Sequence, residues 1–280
     1  MPLANSTRLV FTLDLEEHRP DDSFPKRYPE ITYTLLEFLE RRKIEATVFV
    51  LGRIVRDDPK LIQEISSRGH EIAYHSVDHV HLTVENPDRF RNQATEYKKK
   101  IEDLIGKPVQ GYRAPAFSLT RESLWAVETL QELGFTYSSS VMPAKNPVYG
   151  FPGAPMRPFK WPNGLLEIPA PVARCGPMTI PFLGGFYLRY LPNRLIQKLL
   201  KNGAPEQCYW AYCHPYDFDH KERFFRIDGT SLLVSALLWF NRRHTFEKLE
   251  SIFPLTGDGQ RSFASLIAAG EFDDAIAYRP

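Results

Sequence analysis

Residues 69–79 read GHEIAYHSVDH. A turn at Gly69-His70 opens the stretch, a short β-like run Glu71–Tyr74 follows, and the chain then delivers two histidines, His75 and His79. A short run with chemically capable side chains at its end has the character of a strand in a buried parallel sheet. The pattern recurs on both sides. Leu9–Leu13 is followed by Asp14, Glu16, Glu17 and His18, and Ala46–Leu51 (ATVFVL) is a second run. Val109–Tyr112 precedes Arg113, and Cys208–Cys213 (CYWAYC) precedes His214.

Helical periodicity fills the intervals. Tyr28–Arg42 places Ile31, Leu35, Leu36 and Leu39 on one face, and Pro59–Arg68 repeats that character. Phe90–Ile105 and Thr120–Leu133 read as further helices, the second stopped by Gly134. Strands alternating with helices predict βαβ units around a parallel sheet. The alternation breaks from Met142 to Gly185, a proline-rich stretch too aromatic for a disordered linker, which reads as an ordered excursion decorating one face of a barrel. Beyond it, a helix is expected near Asn193–Leu200 and one long helix near Leu232–Ile252. The expected organisation is one domain over 1–280, with a core at about 9–253, an insertion at 142–185 and a C-terminal extension at 254–280.

Composition narrows the function classes. A length of 280 residues suits a single α/β barrel, and 43% hydrophobic residues supply a sizeable core. Lys and Arg total 35 against 34 Asp and Glu, a net charge of +1, which argues against a chain built mainly to bind nucleic acid, although a local basic patch is compatible with it. No apolar stretch approaches the ~20 residues that span a bilayer. Met1–Arg8 lacks the basic start and apolar core of a secretory signal, so a cytoplasmic location is expected, with a periplasmic or inner-membrane-associated role as the alternative. Cys175, Cys208 and Cys213 are too few and too irregular for a disulfide framework or a cysteine zinc site, and read as free thiols.

In a parallel barrel the C-terminal strand ends converge on one mouth. H-x-x-x-H alone is often a pair of surface histidines; on one helical turn, however, the two rings share a side and can meet one cation. An acid arriving from the first strand completes a two-histidine, one-carboxylate set that leaves coordination positions open. Asp14-Leu15-Glu16-Glu17 supplies such acids, one for the cation and another as a general base, or else forms a solvated loop. Arg113 can hold a carboxylate through a charge-assisted bond, and His214, with an unperturbed pKa of ~6.5, suits a proton donor or simply caps its strand. His70 and His81 read as structural.

Taken in order, these segments resemble the NodB-homology polysaccharide deacetylases, carbohydrate esterase family 4. The motifs are TLDLEE (Thr12–Glu17), HSVDH (His75–His79), RAP (Arg113–Pro115) and YCHP (Tyr212–Pro215), with ATVFVLG (Ala46–Gly52) and GHEIAYH (Gly69–His75) in support. The resemblance implies a distorted (β/α) barrel, often of seven strands, and covers about 9–253. Within the family the chain looks most like the branch encoded with exosortase-linked exopolysaccharide loci, through YSSSVMP (Tyr137–Pro143), YGFPGAP (Tyr149–Pro155), GGFYLRYLP (Gly184–Pro192), HPYDFD (His214–Asp219) and RRHTFEKLESIF (Arg242–Phe253).

Carried over by position, the resemblance implies that Asp14 is the catalytic base, Arg113 its orienting partner and His214 the general acid. It makes the backbone N–H of Ala116 a contributor to the oxyanion site. His75 and His79 become metal ligands, with Glu16 as the carboxylate ligand and Glu17 as the alternative. The adjacent aspartates common in the family are replaced here by Asp14-Leu15-Glu16, and Ser138 or Ser139 stands where relatives often carry the arginine's aspartate. The implied cofactor is a divalent ion, Zn2+ by default, with Co2+ or Ni2+ able to serve. The implied substrate is an N-acetylated amino-sugar polymer or lipid-linked oligosaccharide. Tyr149, Phe151 and Trp161 are candidates for a sugar groove, with simple packing as the alternative. The rival functions are a hydrolase of small cyclic amides or ureides on the same barrel, and a sugar-binding protein without catalysis.

Overall fold

The computed structural model describes residues 8–19, 24–145, 150–176, 178–203, 208–227, 229–256 and 260–280. The strands are β1 (Arg8–Leu15), β2 (Thr47–Val50), β3 (Glu71–Tyr74), β4 (Gly111–Tyr112), β5 (Tyr137–Ser138), β6 (Phe159–Lys160), β7 (Leu166–Glu167), β8 (Val172–Cys175), β9 (Met178–Pro181), β10 (Cys208–Cys213) and β11 (Ile276–Ala277). The helices are α1 (Tyr28–Arg41), α2 (Gly52–Asp57), α3 (Pro59–Ser67), α4 (Pro87–Ile105), α5 (Trp125–Glu132), α6 (Gly185–Tyr190), α7 (Asn193–Lys201), α8 (Leu232–Trp239), α9 (Thr245–Ile252) and α10 (Phe263–Ala268).

The main sheet runs β10-β1-β2-β3-β4-β5-β7-β6-β11, and its pairs from β10 through β7 are all parallel. This curled run of seven parallel strands is the mixed α/β, barrel-like fold that the alternation predicts. Both faces of the strands are buried, as parallel sheets require. Leu9, Phe11, Leu13 and Leu15 of β1 join Val48 and Val50 of β2 beneath the helices, while Val10, Phe49, Ala73 and Trp210 fill the interior.

Two segments do more than the sequence suggests. The proline-rich excursion decorates the barrel through the β8–β9 hairpin, but it also inserts β7 next to β5 and supplies β6 beyond it. The C-terminal extension sends Phe263 into the interior against Phe49, Tyr137 and Trp210, at the end opposite the mouth. There its backbone is anchored by Thr47, whose hydroxyl accepts from Phe263 N–H at 2.9 Å, and by Glu71, which accepts from Ala264 N–H at 2.9 Å.

The expected long helix near Leu232–Ile252 is broken. The chain turns extended at Phe240, takes a left-handed conformation at Asn241 (φ 63°), and restarts through a single 3-10 turn into α9. The Arg189 guanidinium stabilises the break by donating to the carbonyls of Leu238 and Phe240 at 2.9 and 3.1 Å, satisfying acceptors that a helix end leaves free.

Candidate active site

Alternation along each strand decides which side chains meet. Successive residues of a strand point to opposite faces, so the inward series Val10, Thr12, Asp14 on β1 is set by its apolar partners on the other side. The same period carries His75 inward two residues after Ala73, and His214 inward two residues after Tyr212. Asp14, His75, Arg113 and His214 therefore leave four strand ends facing one volume.

At its floor Arg113, fully buried, donates from Nη1 to Asp14 Oδ1 at 2.6 Å and to the Thr12 hydroxyl at 2.8 Å. Its Nη2 reaches the Ser139 hydroxyl at 3.2 Å and its Nε the Ser139 carbonyl at 3.3 Å. The faces of Phe49 and Trp210 lie 3.9 and 4.2 Å from the guanidinium carbon. Ser139 thus accepts two of the arginine's three remaining N–H donors, and the aromatic faces offset part of the cost of burying the charge.

Beside Asp14 lies a cluster suited to a cation. One ligand atom each from Glu16, His75 and His79 lies within 4.8 Å of the others. His75 Nδ1 is 2.8 Å from the Arg113 carbonyl, which can only accept, so Nδ1 carries the proton and Nε2 keeps its lone pair. Burial pushes the His75 pKa down to about 4, so the ring is neutral at pH 7. Nε2 is buried without a hydrogen-bond partner. A neutral imidazole with an orphaned lone pair beside a carboxylate fits a divalent ion, and the carbonyl fixing its other nitrogen is the usual outer support of a metal-binding histidine.

Glu16 Oε2 sits 2.9 Å from His79 Nε2. Burial pushes the Glu16 carboxyl up, but His79 and His214 outweigh it and hold it far below the ordinary range. Burial likewise lowers His79, while Glu16 more than compensates and raises it. The two histidines meet without a helical turn. Ser76 (φ 69°) and His79 (φ 58°) are left-handed, and the loop between them is held by bonds from Gly52 and Arg53 N–H to the Ser76 and Val77 carbonyls. The rings come together edge to face at 5.4 Å. Glu17 lies outside the cluster, its carboxylate accepting from Arg19 N–H and its carbonyl from Arg53 Nη2.

His214 closes the remaining side, its Nε2 3.5 Å from Glu16 Oε1 and 3.9 Å from Asp14 Oδ2. Its Nδ1 is 2.9 Å from Asp217 Oδ2, and its ring stacks on Tyr216 at 4.6 Å and 7°. Burial lowers the His214 pKa, but Glu16, Asp217 and Asp14 together raise it to about 9. Asp217 in turn faces Arg189 Nη2 at 3.2 Å. It can approach so closely because residue 185 is glycine: a Cβ there would stand 2.0 Å from Asp217 Oδ2. Sequence reasoning missed Asp217 and Arg189. The available signal was the carboxylate three residues after the histidine in HPYDFD.

Ala116 is exposed on the loop that leaves Arg113, in a left-handed conformation (φ 53°). The aromatic groove expectation is corrected. Phe151 and Trp161 are buried, at 1% and 2% exposure, and pack on one another, on Tyr278 and, for Trp161, on Phe159. Apolar rings with that many neighbours serve the core, leaving no face for a sugar. Tyr149 lies outside the described residues. His70 is structural, its Nδ1 accepting from Ala46 N–H at 3.1 Å.

The Polysaccharide deacetylase family matches residues 21–138, and a Domain of unknown function (DUF3473) matches residues 139–265. A peptidoglycan-N-acetylglucosamine deacetylase of Bacillus cereus is 26% identical over 152 residues, covering 49% of this chain and 54% of that protein. A peptidoglycan-N-acetylmuramic acid deacetylase of Bacillus subtilis is 28% identical over 104 residues, covering 37% of this chain and 39% of its own length. The chain thus spans about half or less of these relatives. The solved structure of a candidate polysaccharide deacetylase from Mycobacterium smegmatis superposes with a TM-score of 0.64 at 18% identity, covering 99% of both chains, a likeness of fold. Strand ends, motif order and relatives converge: the chain carries a polysaccharide deacetylase domain of the NodB-homology, CE4 type.

Proposed function

We propose that the protein hydrolyses N-acetyl groups from amino sugars of a polysaccharide or lipid-linked oligosaccharide, with Glu16, His75 and His79 holding a divalent cation, zinc by default. The observation that carries the reading is the meeting of those three ligand atoms within 4.8 Å, beside Asp14 and His214. When bound, the cation would supply Lewis acidity toward the amide carbonyl.

The protein's own groups divide the remaining work. Asp14, fixed by Arg113, accepts a proton from the attacking water. The Ala116 N–H donates to the oxyanion as charge develops on the carbonyl oxygen. His214, held by Asp217 and protonated at neutral pH, passes a proton from Nε2 to the departing amine nitrogen. Acetate and a free amine result. The exopolysaccharide setting, suggested by the segments shared with the exosortase-linked branch, and a cytoplasmic site of action belong to the same proposal.

Acetate release from N-acetylchitooligosaccharides and from peptidoglycan fragments, with and without a chelator, tests it. Release that stops with chelator and returns with zinc supports the reading. Tight oligosaccharide binding with no release under any metal replaces it with a sugar-binding protein.

A further inference from the structure

We propose that α8 and the segment preceding it form a docking surface for an anionic lipid bilayer, placed beside the mouth of the site. The helix reads LLVSALLW and has only Ser235 buried. Leu232, Leu233, Val234 and Leu237 are exposed at 62%, 70%, 43% and 41%, with Phe240 at 61% just beyond. Single exposed leucines are ordinary, whereas a contiguous cluster marks an interaction site.

The shape of the patch selects the occupant. At about 100° per residue the exposed apolar positions sweep roughly 200° of the helix circumference. A flat protein surface covers one face and would leave the rest in water, whereas a helix apolar over so wide an arc is suited to a medium of acyl chains that reaches it from several sides. Charge selects the kind of lipid. Lys221, Arg223 and Arg226 are exposed in the segment before the helix, and Arg243 is exposed just beyond it. Glu222, the carboxylate between the first of them, is buried and committed to Arg19 and Arg242. The basic segment lies along the helix, since Phe224 and Phe225 pack on Trp239, both at 5.4 Å, and Ile227 N–H donates to the Ser235 hydroxyl at 3.1 Å. The apolar helix itself carries no charge, so its residues would enter the acyl boundary while the basic side chains of the neighbouring segment meet anionic headgroups. With eight residues α8 is about 12 Å long, so it would dip into one leaflet without crossing the bilayer.

This surface shares a wall with the site. Phe225 stacks on His18 at 5.3 Å, and His18 lies against Tyr216, the ring that stacks on His214. Arg189 bonds the α8 end and faces Asp217, which holds His214. Glycans carried on lipid would therefore meet the mouth directly; that extension rests on the deacetylase reading, whereas docking itself does not.

Flotation of the full chain with phosphatidylcholine vesicles, and with phosphatidylcholine–phosphatidylglycerol vesicles, tests the docking without an activity readout. The protein is expected to float with the anionic vesicles, less so as salt rises, and not with phosphatidylcholine alone. Leu233→Ser should weaken binding roughly tenfold or more, and Arg223→Glu or Arg226→Glu roughly fivefold each or more, with unchanged circular dichroism. The two sets of variants act at separate surface positions, so misfolding of one leaves the other informative. Failure of the wild type to float at low salt overturns the proposal. So does binding that is indifferent to both sets of variants, or a concentration-dependent dimer, abolished by Leu233→Ser, that forms in place of vesicle binding.

Discussion

Arg113 and Asp14 form an ion pair of 2.6 Å in which the arginine is wholly and the aspartate almost wholly removed from solvent. Breaking such a pair from one side strands a charge in a site that cannot solvate it. Arg113→Ala should lower stability by about 3–5 kcal/mol in urea denaturation and abolish acetate release. Arg113→Lys keeps the charge but not the fork that reaches Asp14, Thr12 and Ser139 together, and should retain more stability than activity.

Glu16 and Glu17 are neighbours with opposite assignments. Glu16→Gln should weaken zinc binding by more than about 100-fold in equilibrium dialysis, since loss of a mere supporting partner already costs ten to a hundredfold. Glu17→Gln should leave zinc binding unchanged. The reverse result would transfer the ligand role to Glu17.

In metal-free protein, the His214 ring should titrate near 9, read by its C2 proton in NMR. Because this folded pKa lies above the unfolded value of ~6.5, the associated stability is fully present below pH 6.5 and is lost as pH rises through 9. Asp217→Asn removes one of the charges that raise it, so the titration should move to lower pH, and activity should fall while zinc binding persists.

Glu222 carries the opposite sign. Burial pushes it up, but His18, Arg19 and Arg242 together hold it down to about 2. Its contribution is present above the unfolded pKa near ~4.3 and disappears as pH falls toward 2. Glu222→Gln leaves Arg242, which is 2% exposed, without its carboxylate and should cost about 3–5 kcal/mol at pH 7. The gap between mutant and wild type, measured by denaturation across pH, should narrow on acidification.

Trp161→Ala should behave as a core mutation. The expected loss is about 3–5 kcal/mol of stability, with KM for oligosaccharides unaltered at a temperature where the variant stays folded. A raised KM without loss of stability would return the ring to the substrate groove.

The site was legible in the sequence because its residues sit at the ends of apolar runs long enough to show as strands. In the sequence the choice of Glu16 over Glu17 rests on the family resemblance alone; in the structure Glu16, just beyond β1, continues the inward series through Thr12 and Asp14. The excursion hid its strands because β6 and β7 are two residues each, below the length at which alternation declares itself. Phe151 and Trp161 left two readings open, because an aromatic in a proline-rich segment looks the same whether it meets a sugar or a core, and their burial fits the packing one. The break after α8 was invisible because apolar spacing resumes in α9, and what interrupts it is the left-handed backbone at Asn241. The histidine pair was found for a reason the structure replaces, a tethered loop in place of a helical turn.

The order of the main sheet has a consequence for dissection of the gene. The two family matches abut between Ser138 and Ser139, yet β1 lies between β10 and β2, and β5 lies between β4 and β7. The strands before Ser139, β1 to β5, form one continuous block, whereas those after it are divided between its two edges, β10 beside β1 and β7 beside β5. Split at that point, each half would expose the unsatisfied backbone edge its counterpart covers, and the pieces should recover the cation cluster only when produced together. Recombination that exchanges one half for a homologue's must therefore preserve two separate seams, one along Leu9–Leu13 and one along Tyr137–Ser138.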